Sequence, residues 1–347
     1  MTLKVAIASF AHVHAGGYAH LLASMPEIEL LAADPDGAAA PDAGPRGAEF
    51  AAQFGIRHVD TYDELFAWGP DAVVVTSENA GHRALVERAA AVGAHVLCEK
   101  PLATEVADGE AMLAACEAAG TILMVAYPVR FAPSYARLRA NVEAGRLGEV
   151  FAILGTNNGK IPYDARQWFT DAKQAGGGAL VDHTVHCADL IDGLTGGANA
   201  TRVYAAANRI LHQDKDVEVE TGGLVTINYD NGLLATIDCS WSVPDNSATW
   251  GGVSLQVTGT NGSVEIEPFV EHVGGTDRSG EVFLGIGGNL DESLLDTFLD
   301  AVRTTGPAKP GQPPAVVPQP DGAVGLRTLR IVDAARRSAA SGRAVDV

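Results

Sequence analysis

The sequence predicts an α/β protein with an N-terminal Rossmann-like parallel sheet and a C-terminal α/β domain built on a large, open, mostly antiparallel sheet. Two observations predict this fold class. Up to about residue 126, short apolar runs alternate with stretches of helical period, which is typical of βαβ units. Beyond that point, segments with a period of two residues dominate. We therefore expect two domains, one over residues 1–126 and one over residues 127–347.

The periods also place the individual elements. Apolar runs predict strands of the first domain over residues 3–8, 29–33, 72–76, 95–97 and 122–126, with helices over 82–92 and 106–119. Alternation predicts strands of the second domain over residues 151–156, 200–208, 222–229, 233–240, 253–258 and 263–266. Asn231-Gly232 is a hairpin signal between two of them. The Pro-rich stretch 306–320 predicts an extended connection, and residues 322–341 return to a helical period.

Composition excludes several classes of protein. The 347 residues carry 24 Lys and Arg against 43 Asp and Glu, for a formal net charge of -19. Nucleic acids and anionic membranes need clustered basic residues, so we expect neither as a partner. The four cysteines show no paired spacing, which argues against a disulfide framework or a zinc site. No apolar run reaches the roughly 18 residues of a membrane helix. We expect a soluble, cytoplasmic protein.

The segment Cys98-Glu99-Lys100-Pro101 carries the clearest functional signal. It follows the apolar run 95–97, so Lys100 lies where a buried strand gives way to a loop. In an open α/β sheet, ligands bind beyond the carboxyl ends of the strands. Pro101 fixes its own φ, donates no backbone N–H and favours an extended conformation of Lys100. We therefore expect the Lys100 ammonium to point in a defined direction at the rim of the sheet.

A second signal is the block 176–186, which opens with three glycines and supplies Asp182 and His186 four positions apart. If the glycines let the chain enter a helix, these two side chains share one helix face. Together with Lys100 they could run proton transfer beside a hydride acceptor. The alternatives are an Asp182 that only complements the helix dipole and a His186 that is a satisfied core residue. We expect no metal, because Asp182, His183 and His186 lack another obvious ligand nearby.

The loop after the first predicted strand departs from a common pattern. Ser9-Phe10-Ala11-His12-Val13-His14 stands where a dinucleotide domain usually carries G-x-G-x-x-G. Ser9 and Ala11 are small enough to let the backbone approach a pyrophosphate. Asp34 ends the second strand, about 20 residues later, where an acid commonly bonds the ribose hydroxyls of the adenosine. Such an acid favours NAD over NADP, since it repels a 2′-phosphate; the alternative is a turn residue ahead of Pro35.

Several segments together form a pattern known from one family: Gly81-His82, Ala94 to Pro101, Met124 to Tyr127 with Arg130-Phe131 and Pro133, Gly145 to Val150, Gly176 to His186, and Ser341-Gly342-Arg343. In these segments the chain resembles the Gfo/Idh/MocA oxidoreductases. The resemblance spans nearly the whole chain. It implies a Rossmann domain that binds a dinucleotide over residues 1–126 and a domain for substrate and oligomerisation over residues 127–347. It also implies NAD(P)-dependent oxidation or reduction at a carbinol carbon of a sugar, an inositol or a related polyol.

The resemblance suggests a role for each matching residue. His186 is expected to act as the general base that removes the hydroxyl proton, and an imidazole suits this task because its usual pKa is about 6.5. Asp182 is expected to orient that imidazole or to contact a substrate hydroxyl. Lys100 is expected to bond the reacting oxygen and to stabilise developing negative charge.

The remaining predicted contacts fall into two sets. The cofactor-binding set is Ser9, Ala11, His12, Asp34, Thr76, Ser77, Asn79, His82, Glu99, Lys100 and Trp168. The substrate set is Lys100, Tyr127, Arg166, Asp182, His183 and His186. Trp168 is also consistent with a lid aromatic or a core residue, and Asn79 with a residue near a helix cap.

We therefore predict an enzyme, an NAD-dependent dehydrogenase or reductase acting on CH–OH groups of a small polyol or sugar. The alternative is a dinucleotide-binding sensor or regulatory protein on the same scaffold, with little or no turnover, which the missing glycines favour. A homo-oligomer, dimer or tetramer, is expected because large open sheets usually bury a face. No motif predicts which polyol is bound or in which direction the reaction runs.

Overall fold

The structure is a computed structural model and describes residues 2–39, 44–270, 272–278 and 280–347. The chain forms two compact units that interleave along the sequence. Unit 1 comprises Met1–Tyr127, Pro162–Gly176 and Asp291–Leu326, and unit 2 comprises Pro128–Ile161, Gly177–Leu290 and Arg327–Val347. The expected division into two domains, 1–126 and 127–347, stays a prediction.

Unit 1 is built on a parallel sheet. Its strands are β1 (Leu3–Ala8), β2 (Ile28–Ala33), β3 (Arg57–Val59), β4 (Ala72–Val75), β5 (His95–Cys98) and β6 (Leu123–Val125). They pair in the order β3-β2-β1-β4-β5-β6, with all pairs parallel. This is the Rossmann order, in which the direction of progress reverses between β1 and β4. The predicted N-terminal sheet is confirmed, and its switch point is defined.

The helices follow in chain order. They are α1 (Ala15–Ala23), α2 (Gly47–Gln53), α3 (Tyr62–Ala67), α4 (His82–Ala91), α5 (Val106–Ala119), α6 (Pro133–Glu143), α7 (Ala172–Ala175), α8 (Ala179–Thr195), α9 (Leu290–Thr305) and α10 (Gly322–Ser341). Local chemistry sets several ends. Thr61 and Glu64 form a reciprocal capping box at the start of α3. Gly120 ends α5 in the left-handed conformation.

Unit 2 contains a seven-stranded sheet. Its strands are β7 (Val150–Gly159), β8 (Ala200–Asn208), β9 (Gly222–Tyr229), β10 (Leu234–Ser240), β11 (Gly251–Gly259), β12 (Gly262–Ile266) and, after the hairpin β13 (His272–Asp277) and β14 (Gly280–Gly285), β15 (Val345–Asp346). The order is β12-β11-β7-β10-β9-β8-β15. Only the pair of β10 and β7 is parallel among the pairings of this sheet in the described residues. The predicted mostly antiparallel sheet is confirmed.

Helix α8 packs on one face of this sheet, against β7, β9 and β10. Alternate strand residues such as Ile153, Val225 and Ile237 are buried on that face. Burial of one such side chain contributes roughly 1.5–3 kcal/mol. On the other face, Leu154 and Leu224 are more than half exposed. The sheet therefore has one covered face and one open apolar face.

Sequence patterns missed the short or glycine-rich elements. Strand β3 has three residues, and β15 has two. Strand β13 contains Gly274 and Gly275, so its hydrophobic alternation is broken. The predicted extended connection 306–320 holds no regular helix or strand, and the predicted helix 322–341 coincides with α10. Among the described residues, no helix is long and apolar enough to cross a membrane.

Candidate active site

In unit 1, five predicted residues follow parallel strands directly, so the topology brings them to one edge of the sheet. Ser9 follows β1, Asp34 follows β2, Thr76 follows β4, and Glu99 and Lys100 follow β5. All five are buried. This edge flanks the switch point, where open α/β sheets bind their ligands.

The loop after β1 keeps a glycine-like backbone without a glycine. Ser9 has φ of 75°, in the left-handed region that favours glycine. Its side chain offsets that cost, because the Ser9 hydroxyl donates to Asp34 Oδ1 at 3.1 Å and accepts from the Ala11 amide at 3.2 Å. The Thr76 hydroxyl donates to the Ser9 carbonyl at 2.7 Å. The loop is therefore built as a tight turn even though its first glycine is absent.

Asp34 is already engaged by a cation. Arg46 Nε donates to Asp34 Oδ2 at 2.7 Å, and the second guanidinium nitrogen donates to Oδ1 at 2.8 Å. The Gly47 amide donates to Oδ2 at 2.9 Å. Burial alone would raise the pKa of Asp34, but the Arg46 hydrogen bonds and charge outweigh it and lower that pKa. The acid at the end of β2 is therefore ionised and held in a bidentate pair.

A buried cluster stands beside the third missing glycine. Glu99 Oε1 lies 2.9 Å from His14 Nδ1 and 3.5 Å from His12 Nδ1, and it accepts from the Tyr18 hydroxyl at 2.9 Å. Burial would raise the pKa of Glu99, but the charges of His12 and His14 lower it well below its usual range. For His14, burial lowers the pKa and the opposing effect of Glu99 raises it above its usual value.

Lys100 lies next to this cluster along the chain. Lys100 is buried, with 5% of its surface exposed. Its backbone amide donates to Glu99 Oε2 at 3.1 Å. Both carboxylate oxygens of Glu99 are thus hydrogen-bonded within unit 1. Lys100 is the second residue after β5, where the strand gives way to a loop. The direction and role of its ammonium group stay predictions.

The segment 162–176 supplies two further predicted residues to unit 1. The Trp168 indole donates to the Ala11 carbonyl at 2.9 Å, and Arg166 donates to the Phe10 carbonyl at 3.3 Å. Trp168 stacks on Phe169 with ring centroids 3.9 Å apart and is 4% exposed. Both side chains therefore hold the loop after β1 in place through hydrogen bonds to its carbonyl groups.

The other predicted residues of unit 1 line the same loops. The Asn79 amide donates to the Ala175 carbonyl at 2.8 Å, and His82 Nδ1 lies 3.1 Å from the Pro101 carbonyl. The Ser77 hydroxyl donates to the Glu78 carbonyl at 3.1 Å. Tyr127 is buried after β6. These contacts fix the loops after β4 and β5 and leave the roles of the four residues as predictions.

In unit 2, the glycines before α8 are required by close packing. A Cβ on Gly178 would overlap the Glu220 carbonyl oxygen, and Gly177 has φ of 153° with Val181 against it. The Glu220 carboxylate accepts from the Gly178 amide at 2.7 Å, and its carbonyl accepts from the Ala179 amide at 3.0 Å. Glu220 thus holds the first turn of α8.

Helix α8 contains both Asp182 and His186, as predicted, so they lie one turn apart. Asp182 Oδ2 accepts from the Trp241 indole at 3.3 Å and lies 3.3 Å from His183 Nε2. His183 Nδ1 must carry a proton, because it bonds the Asn157 carbonyl at 2.9 Å and a carbonyl only accepts. The carboxylate of Asp182 is therefore oriented by two neighbours.

Sequence reasoning did not single out four of these supporting residues for the site: Tyr18, Arg46, Glu220 and Trp241. Trp241 is fully buried, and its indole N–H donates to Asp182 Oδ2. A buried indole N–H needs a hydrogen-bond acceptor, and this requirement was the one signal in the sequence that could have linked Trp241 to a polar site. Arg46 follows Asp34 by 12 residues, and no local spacing connects them.

Two family models match the chain. A model of an oxidoreductase family with an NAD-binding Rossmann fold matches residues 27–127, and a Gfo/Idh/MocA C-terminal domain matches residues 135–265. The chain belongs to the Gfo/Idh/MocA family of oxidoreductases. The resemblance read from the sequence is thereby confirmed, together with the fold class.

Known relatives cover most of this oxidoreductase. It is similar to a 1,5-anhydro-D-fructose reductase of Ensifer adhaerens, with 28% identity over 87% of this chain and 88% of the relative. It is also similar to a myo-inositol 2-dehydrogenase of Thermotoga maritima, with 28% identity over 79% of each chain. Among solved structures, an aldose-aldose oxidoreductase from Caulobacter crescentus complexed with glycerol aligns over 100% of both chains, with a TM-score of 0.75 and 27% identity.

The residues present fit a dinucleotide cofactor at the switch-point edge. The turn at Ser9 keeps the backbone conformation that normally lies under a pyrophosphate, and α1 begins without a side-chain cap on its first amides. Asp34 stands where the adenosine ribose is usually bonded. These features are compatible with the phosphate and ribose contacts that a Rossmann domain makes, although the glycines themselves are replaced.

Proposed function

We propose that this oxidoreductase transfers a hydride between a nicotinamide cofactor and a carbinol or keto carbon of a sugar, an inositol or a related polyol. The observation that carries the proposal is the position of Asp182 and His186 one turn apart on α8, with Asp182 held by Trp241. A carboxylate and an imidazole so placed can supply the general base that oxidation of an alcohol requires. The bound nicotinamide supplies the hydride acceptor or donor.

The substrate class is supported by the relatives. One acts on an anhydro sugar, one on an inositol, and the solved aldose-aldose oxidoreductase holds glycerol. All three names describe carbons that bear hydroxyl groups. We propose a cyclic or open-chain polyol for this chain as well.

His186 acts in this proposal as the general base that takes the hydroxyl proton. An imidazole suits that task, because it can both accept and release a proton near neutral pH. Asp182 fixes its orientation or binds a neighbouring hydroxyl. His183 supports Asp182 from the next position and is proposed to contact substrate.

Lys100 acts as the hydrogen-bond donor to the reacting oxygen. A positive charge there stabilises the negative charge that develops as the hydroxyl proton departs. Its burial strengthens that effect, since a charge acts more strongly where water is excluded. Tyr127 and Arg166 are proposed as further substrate contacts.

We propose NAD as the cofactor in preference to NADP. The ionised Asp34 supports this, because a 2′-phosphate would be repelled by its carboxylate. Arg46 offsets part of that negative charge. The preference for NAD over NADP therefore depends on the balance between the Asp34 carboxylate and the Arg46 guanidinium. The residues proposed to contact the cofactor are those of the loops after the strands, together with Trp168.

The test measures kcat on a panel of sugars, inositols and other polyols for variants that each lack one proposed catalytic group. Lys100→Ala and His186→Ala are each expected to lower kcat by about 10²-fold or more while NAD still binds. Lys173→Ala, an exposed lysine in α7, is the matched control and keeps full activity. Unchanged kcat in both catalytic variants would overturn the roles assigned to them.

The same experiment addresses the alternative of a sensor. That alternative is favoured by one observation, the replacement of the loop glycines by Ser9, Ala11 and His14. Tight NAD binding with no turnover of any sugar or inositol would support it. Turnover that depends on Lys100 and His186 would exclude it.

We also propose a homo-oligomer in which the open face of the unit 2 sheet is buried. Leu154, Leu224 and Leu234 are each more than half exposed on that face, and Tyr204 lies in the same cross-strand row as Leu154. Large apolar side chains left exposed on one face in this way favour an interaction surface. A cytoplasmic location is proposed too, and the four free cysteines are consistent with a reducing compartment.

A further inference from the structure

We propose that His12, His14 and Glu99 form a binding site for one divalent transition-metal ion of the zinc class. The three residues each offer a donor atom, and these atoms all lie within 4.8 Å of one another. The site lies wholly within unit 1. His12 and Glu99 are also proposed cofactor contacts, so an ion and a dinucleotide would share this loop. Metal binding itself needs neither dinucleotide nor turnover, so the proposal goes beyond the proposed function.

The spacing of the donors matches a metal site. Glu99 Oε1 lies 2.9 Å from His14 Nδ1 and 3.5 Å from His12 Nδ1. In a tetrahedral zinc site with bonds of about 2.0–2.1 Å, donor atoms stand about 3.3 Å apart. These two separations lie on either side of that value, and all three donor atoms lie within 4.8 Å of one another. His12 Nδ1 also accepts from the His14 backbone amide at 3.2 Å, so an ion bound at that nitrogen would displace this hydrogen bond.

The donor chemistry fits the same class of ion. Two imidazoles and one carboxylate are a ligand set that zinc and related divalent metals accept in proteins. Magnesium and calcium prefer oxygen donors, and two of these three donors are nitrogens. The set leaves one coordination position for water.

The cluster has the supporting shell that metal sites need. The Tyr18 hydroxyl donates to Glu99 Oε1 at 2.9 Å, and the Lys100 amide donates to Oε2 at 3.1 Å. Hydrogen bonds of this kind orient a ligating carboxylate and tune its affinity. The carboxylate is therefore fixed before any ion arrives.

Access and local charge are also compatible with a cation. Glu99 and His12 are buried, whereas the His14 side chain is 31% exposed and gives an entry path. The charges that act on His14 are those of Glu99, Asp291 and Lys100. Two of them are negative and one is positive, so the surroundings favour an added cation.

The experiment uses the full chain, stripped of metal with a chelator and kept free of dinucleotide. Zinc and cobalt(II) are added singly, and the bound metal is measured by elemental analysis and by competition with a chromophoric chelator. We expect one metal ion bound per chain. The absorption spectrum of the cobalt form should be that of a cobalt(II) ion with a low coordination number. His14→Ala and Glu99→Gln are expected to weaken binding by at least about tenfold.

His20→Ala is the matched control, because His20 is an exposed histidine at the other end of α1 and lies outside the cluster. It should bind metal as the unaltered chain does. Circular dichroism shows whether each variant is folded, and His14→Ala, at a partly exposed position, keeps the test valid if Glu99→Gln unfolds. Equal affinity in His14→Ala and the unaltered chain, or no retained metal, would overturn the proposal and leave a protonated His14–Glu99 pair.

Discussion

Arg46 alters what Asp34 can do at the end of β2. Alone, an aspartate there selects NAD by repelling a 2′-phosphate and bonding the ribose hydroxyls. In this protein both carboxylate oxygens accept from Arg46, at 2.7 and 2.8 Å. A guanidinium is also a strong bidentate partner for phosphate. The cofactor preference therefore depends on two opposite charges at one place.

Removing either charge should move the preference in opposite directions. Asp34→Ala frees the Arg46 guanidinium, so the ratio of the NADP to NAD dissociation constants should fall by about tenfold or more. Arg46→Ala leaves Asp34 uncompensated, so that ratio should rise. Calorimetric titration of both dinucleotides measures it.

Arg57→Ala is the control for this pair, because Arg57 is an exposed arginine of unit 1 with a side chain that is 58% exposed. Its dissociation constants should match those of the unaltered chain. If the ratio stays the same in Asp34→Ala and Arg46→Ala, neither residue contacts the adenosine end.

Individual site residues were predictable only where local sequence carries the signal. Lys100 was found because an apolar run ends just before it, and Asp182 with His186 because three glycines precede a helical spacing. Arg46 and Trp241 were not assigned to the site, because their partners lie 12 and 59 positions away. Such contacts arise from tertiary packing, which one sequence does not display.

At the scale of elements, the start of α8 is the critical junction in unit 2. The helix enters through Gly178, whose amide bonds the Glu220 carboxylate at 2.7 Å. The neighbouring amide of Ala179 bonds the Glu220 carbonyl at 3.0 Å. The chain can approach this closely only because position 178 has no Cβ. The orientation of Asp182 follows from that junction.

Gly178→Ala should therefore destabilise unit 2. Its added Cβ would overlap the Glu220 carbonyl, and overpacking of this kind costs about 1–3 kcal/mol. Urea unfolding followed by circular dichroism measures the change. Gly252→Ala, in β11 with open space around its added Cβ, is the control and should stay within about 0.5 kcal/mol of the unaltered chain. Equal unfolding midpoints in the two variants would contradict the close packing described here.

Elements were predicted well where hydrophobic periodicity is long and regular. Strands β1 and β8 and helix α10 have the predicted bounds. Strand β3 was missed, since three residues cannot display a period. The hairpin of β13 and β14 was missed because glycines interrupt its alternation.

At the scale of the whole molecule, the open sheet face of unit 2 supports self-association. Leu224→Glu adds a charge to that face, where Leu224 is 55% exposed and lies opposite Asp238 of the neighbouring strand. We expect this variant to run as a monomer in size-exclusion chromatography with light scattering, and the unaltered chain to run as a dimer or tetramer. Burying an unpaired carboxylate in an interface is costly.

Val92→Glu is the control for the face, because Val92 is 46% exposed and lies in unit 1 after α4. It should keep the mass of the unaltered chain. A monomeric unaltered chain, or the same mass for Leu224→Glu, would show that this face is not the interface.

We propose that this Rossmann unit binds NAD for hydride transfer even without its loop glycines. The most direct test is calorimetric titration of the purified chain with NAD⁺, NADH, NADP⁺ and NADPH in turn. We predict one site per chain, with both NAD forms bound more tightly than the corresponding NADP forms. Failure to bind any of the four would contradict the account, since Lys100, Asp182 and His186 would then have no hydride acceptor to serve.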